Sequence, residues 1–501
     1  MTEKDSARIQ LFNIHSLQLM IRSHLPRAIL VTIIILLATA FHRSPYIAEA
    51  LTEQQIEDFS VVVAPARIIF EPFFGPLLFY MRSVRPIAEL FAFAVWIAVV
   101  MLIVMLRRGK GLKNSSTGRT LLKWFARLPA AFAMWGATLL MIIFVPLPSN
   151  TIRNKSANKI LLNIHAHSYF SHDGLFSQAQ QMAWHKRNGF DAFFMTDHNH
   201  HAKTLELMER QNRGEIPEAP VVLCGQEFSG SNHMLLLGIN HDFTSRGMAE
   251  PQLIDSVHAQ GGAVIVAHWF ENRKNPIAHY VKMGVDGFEL ENQNSRGYAD
   301  SLRTALIKVC QSNNLLSLGS CDYHGYGSAA YTWNALTIPE WKRLSLGEKR
   351  EAVMEILRSR RSAETQLLIY SDRREDSREL VALSPLFTWM DYFRSLSLLQ
   401  AVSWLVWMGL GLWISKTRRV VSFRQWLEGK PFRLENLISF ISGGWILCIG
   451  LFNLSRAQSL EGFNEIFLEF GAYFLILGAF FVLYPFTLML AARYGNRSAD
   501  S

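Results

Sequence analysis

Cysteine is scarce. The four in this 501-residue chain, at 224, 310, 321 and 448, make no CxxC pair and no zinc-ribbon spacing. A disulfide framework is therefore excluded, a single Cys310–Cys321 bridge being the one pairing left open, and buried reduced thiol is the expected state. Nothing supports a cysteine nucleophile. The N-terminal stretch carries Lys4, Arg8, Arg22 and Arg27 but lacks a small-residue cleavage pattern, which points to a retained anchor rather than a removed signal peptide. Charge is thin, at 18% of residues. The net +9 gathers in two loops almost devoid of acid: residues 107–123 hold six Lys or Arg and no Asp or Glu, and residues 416–433 hold six against Glu428 alone. Such loops read as topology signals that also touch anionic lipid, not as nucleic-acid contacts.

Long apolar runs are absent from the middle of the chain and abundant at its ends. Runs at 28–41, 86–106, 128–147, 395–414, 437–455 and 470–491 are candidate membrane spans. The first is short and needs Leu25 and the residues after His42 to complete it. A further stretch, 61–81, carries Arg67, Glu71 and three prolines, and is expected to be a broken, re-entrant or interfacial element. The chain then divides into an N-terminal membrane region (1–150, about three helices plus 61–81), a central domain (155–372) and a C-terminal membrane region (395–492, about three helices). With both basic loops cytoplasmic, the positive-inside rule places the central domain on the periplasmic or extracytoplasmic side of a cell membrane and both termini in the cytoplasm.

In the middle, short β-rich runs such as "AFFMTDHN", "VVLCGQEF", "HMLLLGIN", "GAVIVAHW" and "LLSLGSCDYHG" alternate with amphipathic helical patterns. That alternation predicts an α/β fold of parallel strands with crossover helices, closed into a barrel whose active site lies at the C-terminal strand ends. Of 16 histidines, 13 fall between His165 and His324. His165, His167, Asp173, His198, Glu227, His233, His268, Asp322 and His324 all fall at strand ends or in the turns after them. Imidazole and carboxylate are the ligands of borderline and hard divalent ions, and an alternating "HAH" sends both rings to one face of a strand. Two such pairs, "HAH" and "DYH", with further candidates at strand ends, predict a site for several metal ions.

These residues resemble the polymerase and histidinol phosphatase (PHP) superfamily of metal-dependent phosphoesterases. "NIHAHSYFSHDG" is similar to its first motif, "FFMTDHN" to the second, "GQEFSGSNHMLLLGI" to the third, "GGAVIVAHW" to the fourth and "GSCDYHG" to the last; "DGFELEN" and "EAVMEILRSRRSAE" also have counterparts. The resemblance covers most of 160–370 and none of the membrane ends. It implies a distorted seven-stranded (β/α)7 barrel and three divalent ions, with Mn, Zn or Fe suited to the donor set. By position, His165, His167, Glu227 and Asp322 would hold the first ion; Glu227, bridging, with His233 and His268 the second; and Asp173, His198 and His324 the third. His172 is the alternate to Asp173. Trp269 stands where the family has proline and Cys321 where it has a small residue, and neither removes a ligand. Trp269 either shapes the substrate pocket or is a packed aromatic. Arg273 and Lys274 are candidate phosphate clamps or a solvated pair. His185, His200, His201, His241, His258 and His279 read as structural or surface residues, with His200 and His201 best placed for pocket contacts.

The implied activity is hydrolysis of a phosphate ester by metal-activated hydroxide. Because the domain is tethered at both ends, membrane lipid is the expected neighbour, and a phosphorylated lipid head group or lipid-linked phosphate ranks first among substrates. No nucleic-acid partner is expected, and no obligate protein partner can be inferred. Two other readings compete: an extracytoplasmic nucleotide phosphatase or nuclease, and a non-catalytic membrane sensor that keeps the metal pocket.

Overall fold

The computed structural model describes residues 40–80, 86–109, 124–269, 275–293, 300–371, 378–415 and 433–497, with isolated residues between 29 and 36, at 121 and between 417 and 426. In chain order its strands are β1 (Ile47–Glu49), β2 (Phe59–Val62), β3 (Thr151–Asn154), β4 (Lys159–Asn163), β5 (Ala192–Met195), β6 (Val221–Ser229), β7 (His233–Leu237), β8 (Ala263–Val266), β9 (Gly287–Asn292), β10 (Leu316–Ser320), β11 (Thr332–Thr337) and β12 (Thr365–Tyr370). The helices are α1 (Pro65–Ile69), α2 (Glu71–Tyr80), α3 (Pro86–Gly109), α4 (Leu128–Phe144), α5 (Gln178–Arg187), α6 (Ala202–Asn212), α7 (Glu250–Ala259), α8 (Ile277–Met283), α9 (Asp300–Ser312), α10 (Leu346–Arg358), α11 (Ser384–Arg394), α12 (Leu398–Ile414), α13 (Arg433–Ser459) and α14 (Glu465–Arg497).

Ten strands form one mixed sheet in the order β1-β12-β11-β4-β5-β6-β7-β8-β9-β10. Its two parallel triplets, β4-β5-β6 and β8-β9-β10, have helices in the crossovers, as the alternating pattern predicts. The expectation of parallel strands fails between them. Only residues 230–232 separate β6 from β7, far too few for a crossover, and the two pair as an antiparallel hairpin. β11 and β12 are antiparallel as well.

The sheet curls until β10 comes against β11, where a side chain replaces the missing ladder. Asn334 accepts the Gly319 N–H through Oδ1 at 2.8 Å and returns Nδ2–H to the Gly319 carbonyl at 2.7 Å. Position 319 must be glycine for this approach, because a Cβ there would overlap Leu367 and Thr332. The central strands are buried on both faces between two apolar clusters, one built around Leu236, Val264 and Phe288, the other around Leu162, Leu235 and Ile265. The sheet is thus a curled, ten-stranded half-barrel.

β1 comes from the stretch that reads as N-terminal membrane region, yet it adds to the sheet edge beside β12, with Ile47 opposite Tyr370. Segment 61–81 begins inside β2, which pairs with β3, and continues as the two short helices α1 and α2. Its two charges neutralise one another. Arg67 Nε lies 3.3 Å from Glu71 Oε2 and Nη1–H donates to Asn150 Oδ1 at 2.7 Å, while Tyr392 and Gln400 donate to Glu71 at 3.0 and 2.9 Å. A buried pair with its remaining atoms satisfied avoids the cost of a lone buried charge.

Among the described residues three helices are long and apolar enough to cross a bilayer, within 89–107, 433–459 and 465–487, or four if the pair 381–394 and 398–414, bent by 110°, counts as one. α4, read as a span, has 17 residues, the lower limit for one. Half of run 28–41 and most of both basic loops lie outside the described residues.

Candidate metal centre

The opening motif is held in place by its own neighbours. Past β4 the chain stays extended, and Asn163 ties it down: Oδ1 accepts the Cys321 N–H at 3.0 Å and Nδ2–H donates to the His165 carbonyl at 2.9 Å. "HAH" and "DYH" then lie side by side, with Ala166 bridged to Tyr323 and the His167 N–H donating to the Tyr323 carbonyl at 3.0 Å. A second bridge joins His198, just past the end of β5, to Glu227 near the end of β6. Beneath, α5 starts with a Ser177–Gln180 capping box and presents Gln181 to the His167 and Tyr323 carbonyls, at 2.5 and 3.0 Å. One turn on, His185 stacks on Phe193 and faces Asn163 at 2.9 Å; burial pushes its pKa down to about 3. It is a neutral structural residue, as the sequence reading has it. Two ligand candidates sit in left-handed backbone, His268 at φ 23° and Asp322 at φ 44°, a strain that cores avoid and functional sites concentrate.

All nine candidates converge. Glu227, 1% exposed, faces five imidazoles: Oε1 lies 2.6 Å from His233 Nδ1 and 3.1 Å from His268 Nε2, and Oε2 lies 3.0, 3.1 and 3.3 Å from Nε2 of His165, His167 and His198. Asp322 Oδ1 sits 3.2 and 3.3 Å from the same nitrogens of His165 and His167. Those two nitrogens are only 2.9 Å apart. Across the site Asp173 Oδ2 meets His324 Nε2 at 3.0 Å and His198 Nε2 at 3.3 Å. His172, mostly exposed, has Nε2 3.9 Å from Asp173 Oδ2 and remains adjacent as the alternate.

Donor atoms bound about 2.0–2.2 Å from a common ion stand roughly 3 Å from one another, which is the spacing found here. Four overlapping sets bring their donor atoms within 4.8 Å: His165, His167, Glu227 and Asp322; His167, Asp173 and His324; His172, Asp173 and His198; and His198, Glu227 and His233. The residues fit divalent metal ions in chemistry, spacing and burial.

The electrostatics agree with such a cluster. Burial alone would lower the His165 pKa, but the charges of Asp322, Glu227 and Glu289 outweigh it and hold it well above the ordinary value. His167 is likewise carried up to about 10, against burial, by Asp322 and Glu227. Conversely, burial would raise Glu227, Asp322 and Asp173, yet the surrounding imidazoles hold all three below the usual carboxylate range. His198 is lowered by burial. Asp197 differs from these: burial lifts it to about 6 while it accepts Ser168 N–H and O–H at 2.5 and 2.7 Å, bracing the loop that carries Asp173.

Supporting residues went unassigned in the sequence. Fully buried Glu289, in the "DGFELEN" segment, places Oε1 3.0 Å from His165 Nδ1 and accepts the His268 N–H at 2.9 Å through Oε2. Asn292 donates to both Glu289 and Asp322, each at 3.2 Å. Ser171 donates to Asp173 at 2.6 Å, and Ser229 lies 3.2 Å from His198 Nδ1. The signal was the alternation of "FELEN", which puts Phe288 and Leu290 in the apolar core and leaves Glu289 for the site. Carboxylates behind a ligating imidazole fix its tautomer and raise its basicity. Glu289→Gln is therefore expected to weaken metal binding about 10- to 100-fold with the fold intact, read by calorimetric metal titration of the purified protein.

The substrate-contact candidates fare differently. Trp269 belongs to the apolar core, with its indole N–H donating to the Asn275 carbonyl at 3.0 Å, so the packed-aromatic alternative describes it. Arg273 and Lys274 lie outside the described residues. His200 stacks on Phe170 at 5.7 Å, and His201 faces Gln226 at 3.1 Å. All four cysteines are free thiols, which closes the Cys310–Cys321 question; burial raises Cys224 far above its ordinary pKa.

No family model matches the sequence, and no curated protein aligns with it. Among solved structures, the chain is distantly similar to a two-domain protein from Bacteroides vulgatus containing a predicted PHP-like metal-dependent phosphoesterase, at 17% identity and a TM-score of 0.33 over 42% of this chain and 65% of that one. It thus spans less than two thirds of that relative. An amidohydrolase from Chromobacterium violaceum with bound sulfate and no metal is 13% identical, with a TM-score of 0.28 over 38% of this chain and 96% of that one. PsfC from Pseudomonas syringae is 14% identical, with a TM-score of 0.31 over 46% of this chain and 98% of that one. Likeness at this level carries no chemistry by itself; the functional reading rests on the side chains of this chain.

Proposed function

We propose that this protein is a membrane-anchored, metal-dependent phosphoesterase of the PHP kind, its half-barrel serving as the distorted seven-stranded barrel of that family. The observation that carries the reading is the buried convergence of His165, His167, His198, His233 and His268 on Glu227, with Asp322 completing the innermost set. These residues would hold divalent ions, Mn, Zn or Fe and three in number on this reading, which would supply acidified water near neutral pH and neutralise phosphoryl oxygens. The chain's own residues do the rest by position. Glu227 is shared between the inner sets, Glu289 holds His165 from behind, and Asp173 with His324 and His198 offers a third position for the leaving oxygen.

The substrate we favour is a phosphorylated lipid head group or lipid-linked phosphate, met at the extracytoplasmic face of a cell membrane. Support comes from the basic loops 107–123 and 416–433 and from the direct seating of two ligand loops on apolar helices: Phe463 N–H donates to Tyr169 at 2.8 Å and Gly327 N–H to Ile143 at 3.1 Å. The same seating is what a sensor would use, and it keeps that second reading in view.

The test is hydrolysis of an aryl phosphate monoester and diester by the detergent-purified chain with Mn or Zn, beside a His165→Ala, His167→Ala double variant. Metal-dependent turnover lost in the variant supports the enzyme and justifies a lipid-phosphate panel. Full metal binding with no cleavage of either ester or of the panel would move the assignment to the sensor.

A further inference from the structure

The metal candidates divide by what holds them. Glu227 and His233 lie on β6 and β7, and His165 and His268 directly follow β4 and β8, all backed by strands of the sheet. Asp173 and His324 instead sit in loops that rest on the apolar helices. The 168–176 loop is closed by the Tyr169 N–H donating to the Phe176 carbonyl at 2.8 Å, and it is tied to the other loop by the Leu175 N–H donating to the His324 carbonyl at 2.8 Å. The outer face of this pair is then covered by the turn between α13 and α14. There the Phe463 N–H donates to the Tyr169 carbonyl at 2.8 Å, and the buried Phe467 ring packs with Leu175. Gly462 lies so close that a Cβ would overlap the Tyr169 carbonyl oxygen, a backbone atom with no rotamer to give way. The His324 loop is anchored in the same manner at the end of α4, through Gly327 to Ile143 at 3.1 Å and from the Leu147 N–H to Ser328 Oγ at 2.8 Å.

We propose that the α13–α14 turn, through Gly462 and Phe463, is a positioning element for the Asp173 loop, so that an ion at Asp173, His198 and His324 binds at full strength only when the membrane hairpin is seated on the domain. The inference rests on reading those three residues as ligands. It makes the outer metal position conditional on the membrane region and the inner positions independent of it. The turn touches Tyr169 and Leu175 rather than a ligand itself, so it acts on Asp173 through the loop that carries it.

The experiment is metal titration of the full-length, detergent-purified protein with Mn, followed by calorimetry and by counting bound ions after gel filtration. Gly462→Val is expected to lose one ion at low metal and to need at least ten-fold more metal to regain it, with the tighter class of sites unchanged. Phe467→Ala, which keeps every backbone bond, is expected to shift the same class by a smaller factor. Gly444→Ala, in α13 with open space around it, should match wild type. Recovery of the lost ion at high metal separates positioning from general damage. Wild-type count and affinity in Gly462→Val would overturn the proposal, as would equal weakening of every class. Should Gly462→Val fail to fold, an unchanged titration in Phe467→Ala would overturn it instead. Because the readout is binding, a wild type that takes up ions yet cleaves no ester sinks the phosphoesterase assignment and leaves this one standing.

Discussion

Glu227→Gln is expected to abolish metal-dependent turnover, by on the order of 10³-fold or more, and to lower the number of tightly bound ions by at least two. The reason lies in what one carboxylate is asked to do. Its two oxygens face five imidazole nitrogens at 2.6 to 3.3 Å, and it is a member of both inner donor sets. Glutamine keeps the volume, so the core should not collapse. Its amide, however, places an N–H where a cation must sit and removes the negative charge that opposes several buried imidazoles. Elemental analysis after gel filtration reads the ion count, and initial rates on an aryl phosphate read the turnover. A variant with its full complement of ions and a rate within ten-fold of wild type would remove Glu227 from the centre of the site.

Chelation should reverse the pH dependence of stability. In the metal-free protein the cluster is held by imidazolium–carboxylate pairs. The raised histidines, His165 and His167, contribute stability that is fully present below their unfolded pKa of about 6.5 and is lost as pH rises through their folded values, about 10 for His167. The lowered carboxylates, Glu227, Asp322 and Asp173, contribute stability present above about pH 4 and lost below it. His198 and, behind the site, His185, both lowered by burial, oppose the first trend. The raised pair and the lowered carboxylates together make their own contribution to apo stability largest near pH 5–6 and smaller toward pH 9. With metal present the order inverts, because protons compete with ions for the same imidazoles and binding strengthens as pH rises. At a metal concentration a thousand-fold above the dissociation constant, each ion adds about 4 kcal/mol, or about 10 °C in melting temperature for a domain of this size. Melting curves in chelator and in Mn should diverge steadily from pH 6 to pH 9. Parallel curves would mean that the cluster is not where metal binds.

Much of this site could be read from the chain because its donors are local in pattern even where they are distant in sequence. "HAH" and "DYH" announce themselves by alternation, and strand-end positions place His198, Glu227 and His268 at one rim. What the pattern could not supply depends on contacts between remote segments. The β6–β7 hairpin was hidden because each strand looks like one half of a strand–helix unit. Glu289 looked like any acidic residue in an alternating strand until β9 was placed beside β10 and under His165. The three residues of β1 are too few to carry a period, so a strand was read as part of a membrane region. Trp269 was ambiguous because sequence position fixes that a residue follows a ligand, not which way its ring turns. The seating of the Asp173 loop on the α13–α14 turn joins residues almost 300 apart and leaves no local mark at either end.

The pairing of β1 with β12 also sets a timetable. Ile47 meets Tyr370, so the first strand of the half-barrel leaves the ribosome about 320 residues before its partner, an interval of roughly 15 s to 1 min at ordinary elongation rates. Throughout that wait β1 is without the strand it will pair with, and β12 arrives last of the ten. During biogenesis the sheet is thus sealed at the end of synthesis rather than at its start, and the metal ligands on β4 to β8 are assembled while the edge is still open. A pulse-labelled chain should resist protease only after β12 has emerged, whatever the fate of the helices on either side.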